Sequence, residues 1–418
     1  MWFACGLAAV ALLAAACSDS KSTSSGGSGG SAASSVDLTA LGTPNAATGT
    51  PVTIGLIHDG GGQGVNQQAD LEVQGAQLAI KYINDYRGGL AGRPIDLFVC
   101  GNQSTPAGAQ DCANQMVEKK VAAVVWPFTG QGSSVPILTG AGIPIIGISG
   151  ASTEELTTPG VFLLTGGFPA TLGAYAQDAK DHNYKKFAML INDVPALTQG
   201  IPALGGPAFQ KAGVELKLES APVGTPDLTP QLQDAISQGA DAVGVTGDVT
   251  FCTAFLKAYQ TLALTVPKYV IGTCNDPSVT ASLGNVLQGS TEATTTGPSD
   301  SPDAKIYAAI INKYAPGGSI DPDPAKSTGV ALGLTPFLTF SNAVKNFTGD
   351  ATPANLGTYF KTAKGDVFLG GGITFDCASK PIAIIPNVCS AALQIGTVQA
   401  DGTVTDLKPV DPTSLFQP

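Results

Sequence analysis

The segment Ile143–Leu156 combines residue types that could bind a small anionic group. Its first half is an apolar, β-branched run, which is typical of a strand buried on both faces. Its second half is a turn of small residues followed by Ser152-Thr153-Glu154-Glu155, a capping-box spacing that begins a helix. Open α/β sheets receive anions where a strand ends at the free N–H groups of a helix N-terminus. With no lysine, metal cluster or nucleophile beside it, the segment predicts half of a site that binds a small molecule without changing it. Helix capping alone is the alternative for Ser152.

Two other motifs could bear on chemistry. The run Gly60–Gly64 resembles a phosphate-binding loop but lacks the Lys-Ser/Thr and the glycine spacing of the known templates, which favours a pliable loop beside a cleft. His58 precedes it, and either lines that cleft or is a polar residue at a strand end. His182 lies in a polar run at a helix end and is expected to face solvent.

Composition and motifs exclude several classes of function. The chain has 418 residues, 43% hydrophobic and 13% charged, with a net charge of −11 and no basic cluster. Nucleic-acid binding is therefore disfavoured, because it needs Lys and Arg to displace counterions. With two histidines and no G-x-S-x-G motif outside the Ser/Gly-rich run of residues 18–50, the sequence predicts neither an enzyme nor a bound cofactor.

The N-terminus predicts export and anchoring. Trp2–Ala16 is an apolar run too short for the ~20 residues that span a bilayer, and it suits a secretory signal although no Lys or Arg precedes it. Ala14-Ala15-Ala16-Cys17 resembles the cleavage box of bacterial lipoprotein signals, with Ala14 where leucine is usual, so Cys17 is the expected lipid attachment site. We predict a signal over residues 1–17 and a disordered, Ser/Gly-rich tether over 18–50.

Six cysteines remain once Cys5 and Cys17 are removed with the signal and the lipid. An even number in an exported chain implies disulfides, and six cysteines allow about 15 connectivities. We expect sequential pairing, because neighbours in sequence fall on adjacent elements of one βα unit; a zinc site is the alternative. The expected pairs are Cys100–Cys112, Cys252–Cys274 and Cys377–Cys389.

From Pro51 onward, strand and helix patterns alternate, which predicts parallel, doubly wound sheets. The alternation begins again after about residue 166, so we expect two α/β lobes in series. The predicted strands are 52–57, 94–100, 121–126, 143–149, 161–165, 186–192, 214–220, 241–246, 268–272, 290–296, 373–376 and 391–398. The segment 143–149 is expected to be the central strand of the first lobe.

The ordered series of motifs resembles type I periplasmic binding proteins of the leucine/isoleucine/valine class. The likeness begins with Glu72-x-x-Gly75-Ala76 and Gly88-Gly89-Leu90-Ala91-Gly92, and it continues through Val124–Thr129, Gly142–Leu156 and Phe368–Asp376. It implies two Rossmann-like lobes joined by three hinge crossovers, which close on a ligand. On this resemblance lobe 1 comprises 51–166 plus 298–369, and lobe 2 comprises 167–297 plus 370–418. The crossovers are expected near Thr165–Phe168, Thr296–Ser299 and Leu369–Gly372.

The resemblance also implies site residues. In amino-acid-binding members, two loops of the first lobe hold the ligand carboxylate and ammonium. Here these loops contain Phe128 and Thr129, and then Gly150, Ala151, Ser152 and Thr153, with either Ser152 or Thr153 supplying the hydroxyl.

The second lobe departs from the family pattern. Phe251 stands where amino-acid binders carry an acidic residue, and Leu197 where they often carry an aromatic one. Asp248, Asp193 or Asp276 could receive the ammonium instead, and Asn275 beside Asp276 joins the candidates. Each of the three aspartates could equally be a helix cap or a loop residue.

The resemblance implies a lipid-anchored, extracytoplasmic and monomeric substrate-binding subunit of an ABC importer, with permease subunits as partners. The expected cargo is an amino acid or a related carboxylate or amide. A ligand sensor of the same fold is one alternative. A binding protein for an aromatic acid or a urea-like amide is another, which Phe128 and Phe251 would suit.

Overall fold

The computed structural model describes residues 38–61, 67–127, 129 and 131–417 of the chain. Its backbone forms two large β-sheets and one small two-stranded sheet. Cys17, the signal segment and residues 18–37 of the predicted tether lie outside the described residues. The strands are β1 (Val52–His58), β2 (Ile95–Gly101), β3 (Ala123–Trp126), β4 (Ile145–Gly147), β5 (Val161–Leu163), β6 (Lys186–Asn192), β7 (Glu215–Ala221), β8 (Ala242–Thr246), β9 (Lys268–Val270), β10 (Thr291–Thr294), β11 (Lys364–Asp366), β12 (Thr374–Asp376), β13 (Leu393–Val398) and β14 (Val404–Val410).

Many helices begin where the sequence supplies a capping side chain. Thr105, Ser301 and Thr352 each accept a hydrogen bond from a backbone N–H in the first turn of the helix that follows. The helices are α1 (Gln67–Tyr86), α2 (Pro106–Lys119), α3 (Val135–Gly140), α4 (Thr153–Thr157), α5 (Gly167–Asp181), α6 (Pro195–Thr198), α7 (Gly200–Leu204), α8 (Gly206–Ala212), α9 (Thr229–Ser237), α10 (Val249–Thr261), α11 (Pro277–Leu283), α12 (Pro302–Tyr314), α13 (Thr328–Val344), α14 (Pro353–Phe360) and α15 (Thr413–Phe416).

The two large sheets repeat one topology. The first has the order β2-β1-β3-β4-β5 and is entirely parallel. In the second, β7-β6-β8-β9-β10 follow the same order in parallel, and β13 and β14 add in antiparallel fashion. Two α/β lobes with doubly wound sheets, as predicted from the alternation, are confirmed. We name the first sheet with its helices lobe 1 and the second with its helices lobe 2.

The strand within Ile143–Ser149 is buried as predicted, but its place in the sheet differs. It covers only Ile145–Gly147, and it lies beside the edge strand β5, whereas β3 is central. The flanking Pro144 and Gly150 belong to the turns on either side.

The ordered body begins before the predicted boundary at Pro51. Leu41 is buried, and its carbonyl accepts a hydrogen bond from the Tyr82 hydroxyl. The backbone N–H groups of Asn45 and Ala47 donate to carbonyls at the end of α1. Residues 38–48 therefore pack on lobe 1 and are not part of a tether, because a buried leucine and backbone hydrogen bonds hold them there.

The segment 374–389 also lies elsewhere than the division at residue 370 places it. Strand β12 pairs with β11, and Asn387 donates to the carbonyls of Glu155 and Thr158, both at 2.8 Å. Leu163 of β5 exchanges backbone hydrogen bonds with Asn387 and Cys389. The segment adds to the free edge of β5, where strand groups are otherwise unpaired. Only the part of the chain from β13 onward joins lobe 2.

In lobe 1, α1 and α13 cross with their backbones in contact. A Cβ on Gly75 would overlap the carbonyl oxygen of Val330, and a Cβ on Gly333 would overlap that of Glu72. Glycine at both positions permits this approach. Among the described residues, no helix combines the length and the apolar character needed to cross a bilayer.

Candidate functional site

The carboxyl ends of the parallel strands lie at the connections between the lobes. The chain leaves lobe 1 just after β5 and lobe 2 just after β10, so both connections start at a carboxyl edge. The strand order reverses between β1 and β3 in lobe 1, and between β6 and β8 in lobe 2. Ligands of open α/β sheets bind outside the carboxyl ends at such reversals. The residues after these four strands are therefore the candidate site.

Three connections join the lobes, at residues 164–166, 295–301 and 390–392. The first and third touch, since a Cβ on Gly166 would be 2.9 Å from the Ser390 carbonyl oxygen. The predicted third crossover, Leu369–Gly372, is instead a turn between β11 and β12 that contacts Gly297 of the second connection. It lies at the hinge region without being a crossing.

Thr129, which follows β3, is fully buried and binds within lobe 1. Its hydroxyl donates to Asp59 Oδ1 at 2.8 Å, and Asn102 Nδ2 donates to the same oxygen at 2.6 Å. These contacts join the ends of β1, β2 and β3. The predicted ligand contact Phe128 lies outside the described residues.

The turn before α4 forms the predicted capping box. Ser152 Oγ accepts from the Glu155 backbone N–H at 3.2 Å. In return, Glu155 Oε2 accepts from the N–H groups of Ala151 and Ser152 and from Ser152 Oγ, at 2.9–3.0 Å. Glu155 is fully buried, and this burial raises the pKa of its carboxyl, although the Ser152 and Ala151 hydrogen bonds act in the opposite direction. An internal carboxylate thus occupies the donors predicted for a ligand.

The residues directly after the first predicted loop of lobe 1 lie against the second predicted loop. A Cβ on Gly132 would overlap Ser152 Oγ and would come within 2.8 Å of Glu154 Oε2. Gly150 is buried beside Leu163 and Glu155, whereas Ala151 and Thr153 are exposed. The structure therefore places Thr129 and Ser152 at the same edge of the lobe 1 sheet.

His58 ends β1 at the strand reversal of lobe 1. Its ring packs between Gly60 and Gly101 and is 7% exposed. Burial lowers the pKa of His58, although the carboxylates of Asp70 and Asp59 oppose this, so the neutral imidazole is favoured. Its Nδ1 has no hydrogen-bond partner among the described residues.

In lobe 2, Asp248 begins α10 as a helix cap. Its carboxylate accepts from the Phe251 N–H at 2.9 Å, and its own N–H donates to Asn192 Oδ1 at 3.2 Å. The Phe251 ring is 1% exposed within the core on that face of the sheet. It is therefore a core side chain, not a wall of the site, and the sequence misplaced it because its residue type alone does not reveal burial.

Of the other lobe 2 candidates, Asn275 and Asp276 form hydrogen bonds within the protein, and Asp193 is exposed. Asn275 Nδ2 donates to the Gly402 carbonyl at 2.7 Å and to Glu292 Oε2 at 3.2 Å. Asp276 caps α11 by accepting from the Ser278 N–H at 2.8 Å. Asp193 follows β6 and is exposed, and no side-chain partner of its carboxylate is present in the described part of the chain. Asp193 is thus the candidate left free to meet a ligand.

Sequence reasoning missed several polar residues at this edge. Asp59 and Asn102 organise the tips of lobe 1, and Asn192 lies at the reversal in lobe 2, 4% exposed. The Ser152–Glu155 spacing identified the capping box, but its consequence for the ligand donors needed the side-chain geometry. Asp59 carried a signal, since it directly follows a predicted strand.

The three disulfides join the cysteines in sequential order, as predicted: Cys100–Cys112, Cys252–Cys274 and Cys377–Cys389. The first joins the end of β2 to α2, close to Asn102. The second joins the first turn of α10 to the segment after β9. They brace loops at the carboxyl edge of each lobe.

No group of three His, Cys, Asp or Glu side chains that could hold a metal is present in the described ranges. Two surface depressions, of about 440 and 490 Å³, lie along Tyr259–Leu264 and along the exposed face of α1. Neither depression includes a predicted site residue. Both depressions are shallow and open, so we assign the candidate site from the strand topology.

The chain is similar to a known protein family in sequence and to known proteins in fold. A family model described as periplasmic binding protein matches residues 51–382. No curated protein matches the sequence. A branched-chain amino acid transporter substrate-binding protein from Streptococcus pneumoniae, solved with isoleucine, is 20% identical with a TM-score of 0.65, over 87% of this chain and 100% of that one. A solute-binding protein of an ABC transporter from Rhodopseudomonas palustris, solved with 3,4-dihydroxybenzoic acid, is 19% identical with a TM-score of 0.63, over 87% and 98%. A fatty acid ABC transporter substrate-binding protein from Thermomonospora curvata is 16% identical with a TM-score of 0.63, over 88% and 94%.

Proposed function

The chain belongs to the periplasmic binding protein family, and we propose that it captures a small polar ligand for an ABC importer by closure of its two lobes. The proposed cargo is an amino acid or a related carboxylate or amide, bound without chemical change. The proposed partners are the permease subunits in the membrane, with the binding protein acting outside the cytoplasm as a monomer.

One observation carries the proposal. Two sheets of the same strand order direct their carboxyl edges toward the same three connections, and polar groups lie at both reversals. A ligand between these edges contacts both lobes at once. Binding and closure are then one process, because only the closed arrangement completes the contacts.

The energy required is within reach of a few polar contacts. Shifting a two-state equilibrium from 1:99 to 99:1 requires a preference of ~5.5 kcal/mol for the closed state. Hydrogen bonds to charged groups contribute ~1.5–3 kcal/mol each. Two or three contacts made only in the closed arrangement are therefore sufficient.

Isothermal titration calorimetry of the full chain with amino acids, amides and small carboxylates tests this function. We expect at least one compound to bind with a stoichiometry of one per chain. If no compound in the panel gave a heat of binding, the proposal of an amino-acid ligand would be refuted.

The aromatic-acid version is the second candidate, and a neighbour of the same fold solved with 3,4-dihydroxybenzoic acid favours it. The burial of Phe251 weakens it, because that ring is not available to stack on a flat cargo. Including 3,4-dihydroxybenzoic acid in the panel separates the two. A sensing role would be favoured by a kinase or cyclase gene beside this one, and import by permease genes.

Lipid anchoring through Cys17 completes the proposal. The cysteine follows an apolar segment and three alanines. Cells expressing the chain and fed a radiolabelled fatty acid should label it, and Cys17→Ala should abolish both the label and membrane retention. Labelling that persists in Cys17→Ala would refute this attachment site.

A further inference from the structure

The carboxyl edges of both sheets carry one sign of charge. The ten segments that connect each parallel strand to its next α-helix contain no lysine, arginine or histidine. The aspartates in these segments are Asp59, Asp193, Asp227, Asp248, Asp276 and Asp300. The opposite edge, where helices lead into strands, carries Arg87, Arg93, Lys120, Lys185 and His182 against one aspartate, Asp241. Charge is thus separated along the strand axis.

Helix capping explains part of this separation. Asp248, Asp276 and Asp227 accept backbone N–H groups at helix starts, where the helix dipole favours a negative charge. It does not explain Asp59, Asp193 or Asp300, which cap no helix among the described residues. Asp59 and Asp193 follow the strands at the reversals, β1 and β6.

Four of the lobe 1 groups predicted to bind a ligand anion already donate within the fold. Glu155 Oε2 takes the N–H groups of Ala151 and Ser152 together with Ser152 Oγ. Asp59 Oδ1 takes the hydroxyl of Thr129. A ligand carboxylate here would add a further negative charge without a basic side chain to offset it.

One fully buried hydrogen-bond acceptor at this edge of lobe 1, on Glu155, has no donor among the described residues. Glu155 is 0% exposed, and its Oε1 has no hydrogen-bond partner in the part of the chain that the structure describes. Asp59 is close enough for its charge to act on this carboxyl and raise its pKa further, after burial itself. Two neighbouring carboxylates and an unused acceptor oxygen suit a ligand that donates hydrogen bonds.

Lobe 2 offers the matching feature. Asp193 follows β6 at the reversal, is exposed, and its carboxylate has no side-chain partner in the described ranges. A surface lined by one sign of charge concentrates ligands of the opposite sign. Both lobes therefore favour a cationic group over an anionic one.

Resting on the capture by lobe closure proposed above, but not on a carboxylate cargo, we propose that the ligand is a small amine- or guanidine-bearing cation and that it needs no carboxylate. Asp193 binds the cationic group from lobe 2. Asp59 supplies the negative charge of lobe 1, and Glu155 Oε1 is a further hydrogen-bond acceptor there. Compounds that carry only a carboxylate are excluded by that charge.

The test uses probes of equal length and opposite charge. Calorimetry of the full chain is run with 1,5-diaminopentane and glutarate, which share a five-carbon chain, and with arginine and agmatine, which differ by one carboxylate. We expect the diamine or agmatine to bind and glutarate to remain silent, with affinity falling as salt is raised. Glutarate binding more tightly than the diamine would overturn this inference and leave the proposed function standing. If none of the four compounds binds, the inference is overturned. The panel of amino acids, amides and carboxylates then tests the proposed function separately.

Two variants locate the contact. Asp193→Asn should weaken binding of the diamine or agmatine about 10-fold or more, since it removes one charge-assisted hydrogen bond. Asp181→Asn, an exposed substitution at the far end of α5, serves as the matched control and should leave affinity unchanged. Equal affinities for the two variants would contradict the role of Asp193.

Discussion

The backbones of Gly297 and Gly371 are in contact, so close that a Cβ on Gly297 would overlap the Cα of Gly371. Gly297 belongs to the second connection between the lobes, and Gly371 to the turn between β11 and β12. Gln394 of β13 donates to the Gly371 carbonyl at 3.1 Å, which brings lobe 2 to the same place. The second connection is therefore packed against the β11–β12 turn at the hinge region.

Gly297→Ala should destabilise the protein because the added methyl group has no space. Overpacking of this kind typically costs about 1–3 kcal/mol, and here it also forces the second connection away from the turn. Urea unfolding measures the loss. Gly140→Ala is the control, because a Cβ there meets no atom within 4 Å, and its stability should be unchanged or higher.

Ser152→Ala should cost more stability than Thr153→Ala. Ser152 caps α4 and donates to the buried Glu155, so its loss is expected to cost about 1 kcal/mol, in the range of 0.5–2. Thr153 is exposed, and its replacement should stay within about 0.5 kcal/mol. Equal losses in urea unfolding would show that the capping geometry does not hold in solution.

Stability should fall as pH rises through neutrality because of Glu292. Burial raises the pKa of Glu292 from 4.5 to about 7, and Asn275 only partly offsets this by hydrogen bonding. The folded pKa is above the unfolded one, so the stabilisation is complete below 4.5 and is lost as pH rises through about 7. The loss is on the order of 3 kcal/mol.

Glu292→Gln should abolish this part of the pH dependence and be more stable than the parent chain at pH 8. Unfolding measured between pH 4 and pH 8 checks the difference between the two curves. Glu118→Gln, on the exposed face of α2, should keep the parent's slope. Parallel curves for the parent and Glu292→Gln would contradict the burial of this carboxyl.

Removing the Cys252–Cys274 disulfide should lower stability by about 2–4 kcal/mol, since it releases the constraint on the unfolded chain. The double Cys→Ser variant at these positions is compared with the oxidised parent in urea. Loss of the bond should also loosen the start of α10 and the segment before Asp276, which amide hydrogen exchange detects. Unchanged protection of both segments would contradict the bracing role.

Local sequence patterns predicted the parallel strands of both lobes, and the bounds of β6 agree at both ends. Alternating apolar runs and helix caps depend on residues close in sequence, so they can be recognised without knowledge of the tertiary structure. Segments held by distant contacts were misplaced: 38–48 packs through Leu41, and 374–389 pairs along β5 through Asn387. At the site, the Ser152 capping box was visible in the sequence, whereas the burial of Phe251 and the pairing of Thr129 with Asp59 depend on long-range packing.

Closure of the lobes on a ligand is tested most directly by a distance between them. Spin labels at Lys119→Cys in lobe 1 and Lys257→Cys in lobe 2 occupy exposed sites away from the strand tips. Electron paramagnetic resonance is recorded without ligand and with the compound that calorimetry shows to bind. We predict a shorter and narrower distance distribution with the compound present. A bound compound that leaves the distribution unchanged would contradict capture by closure.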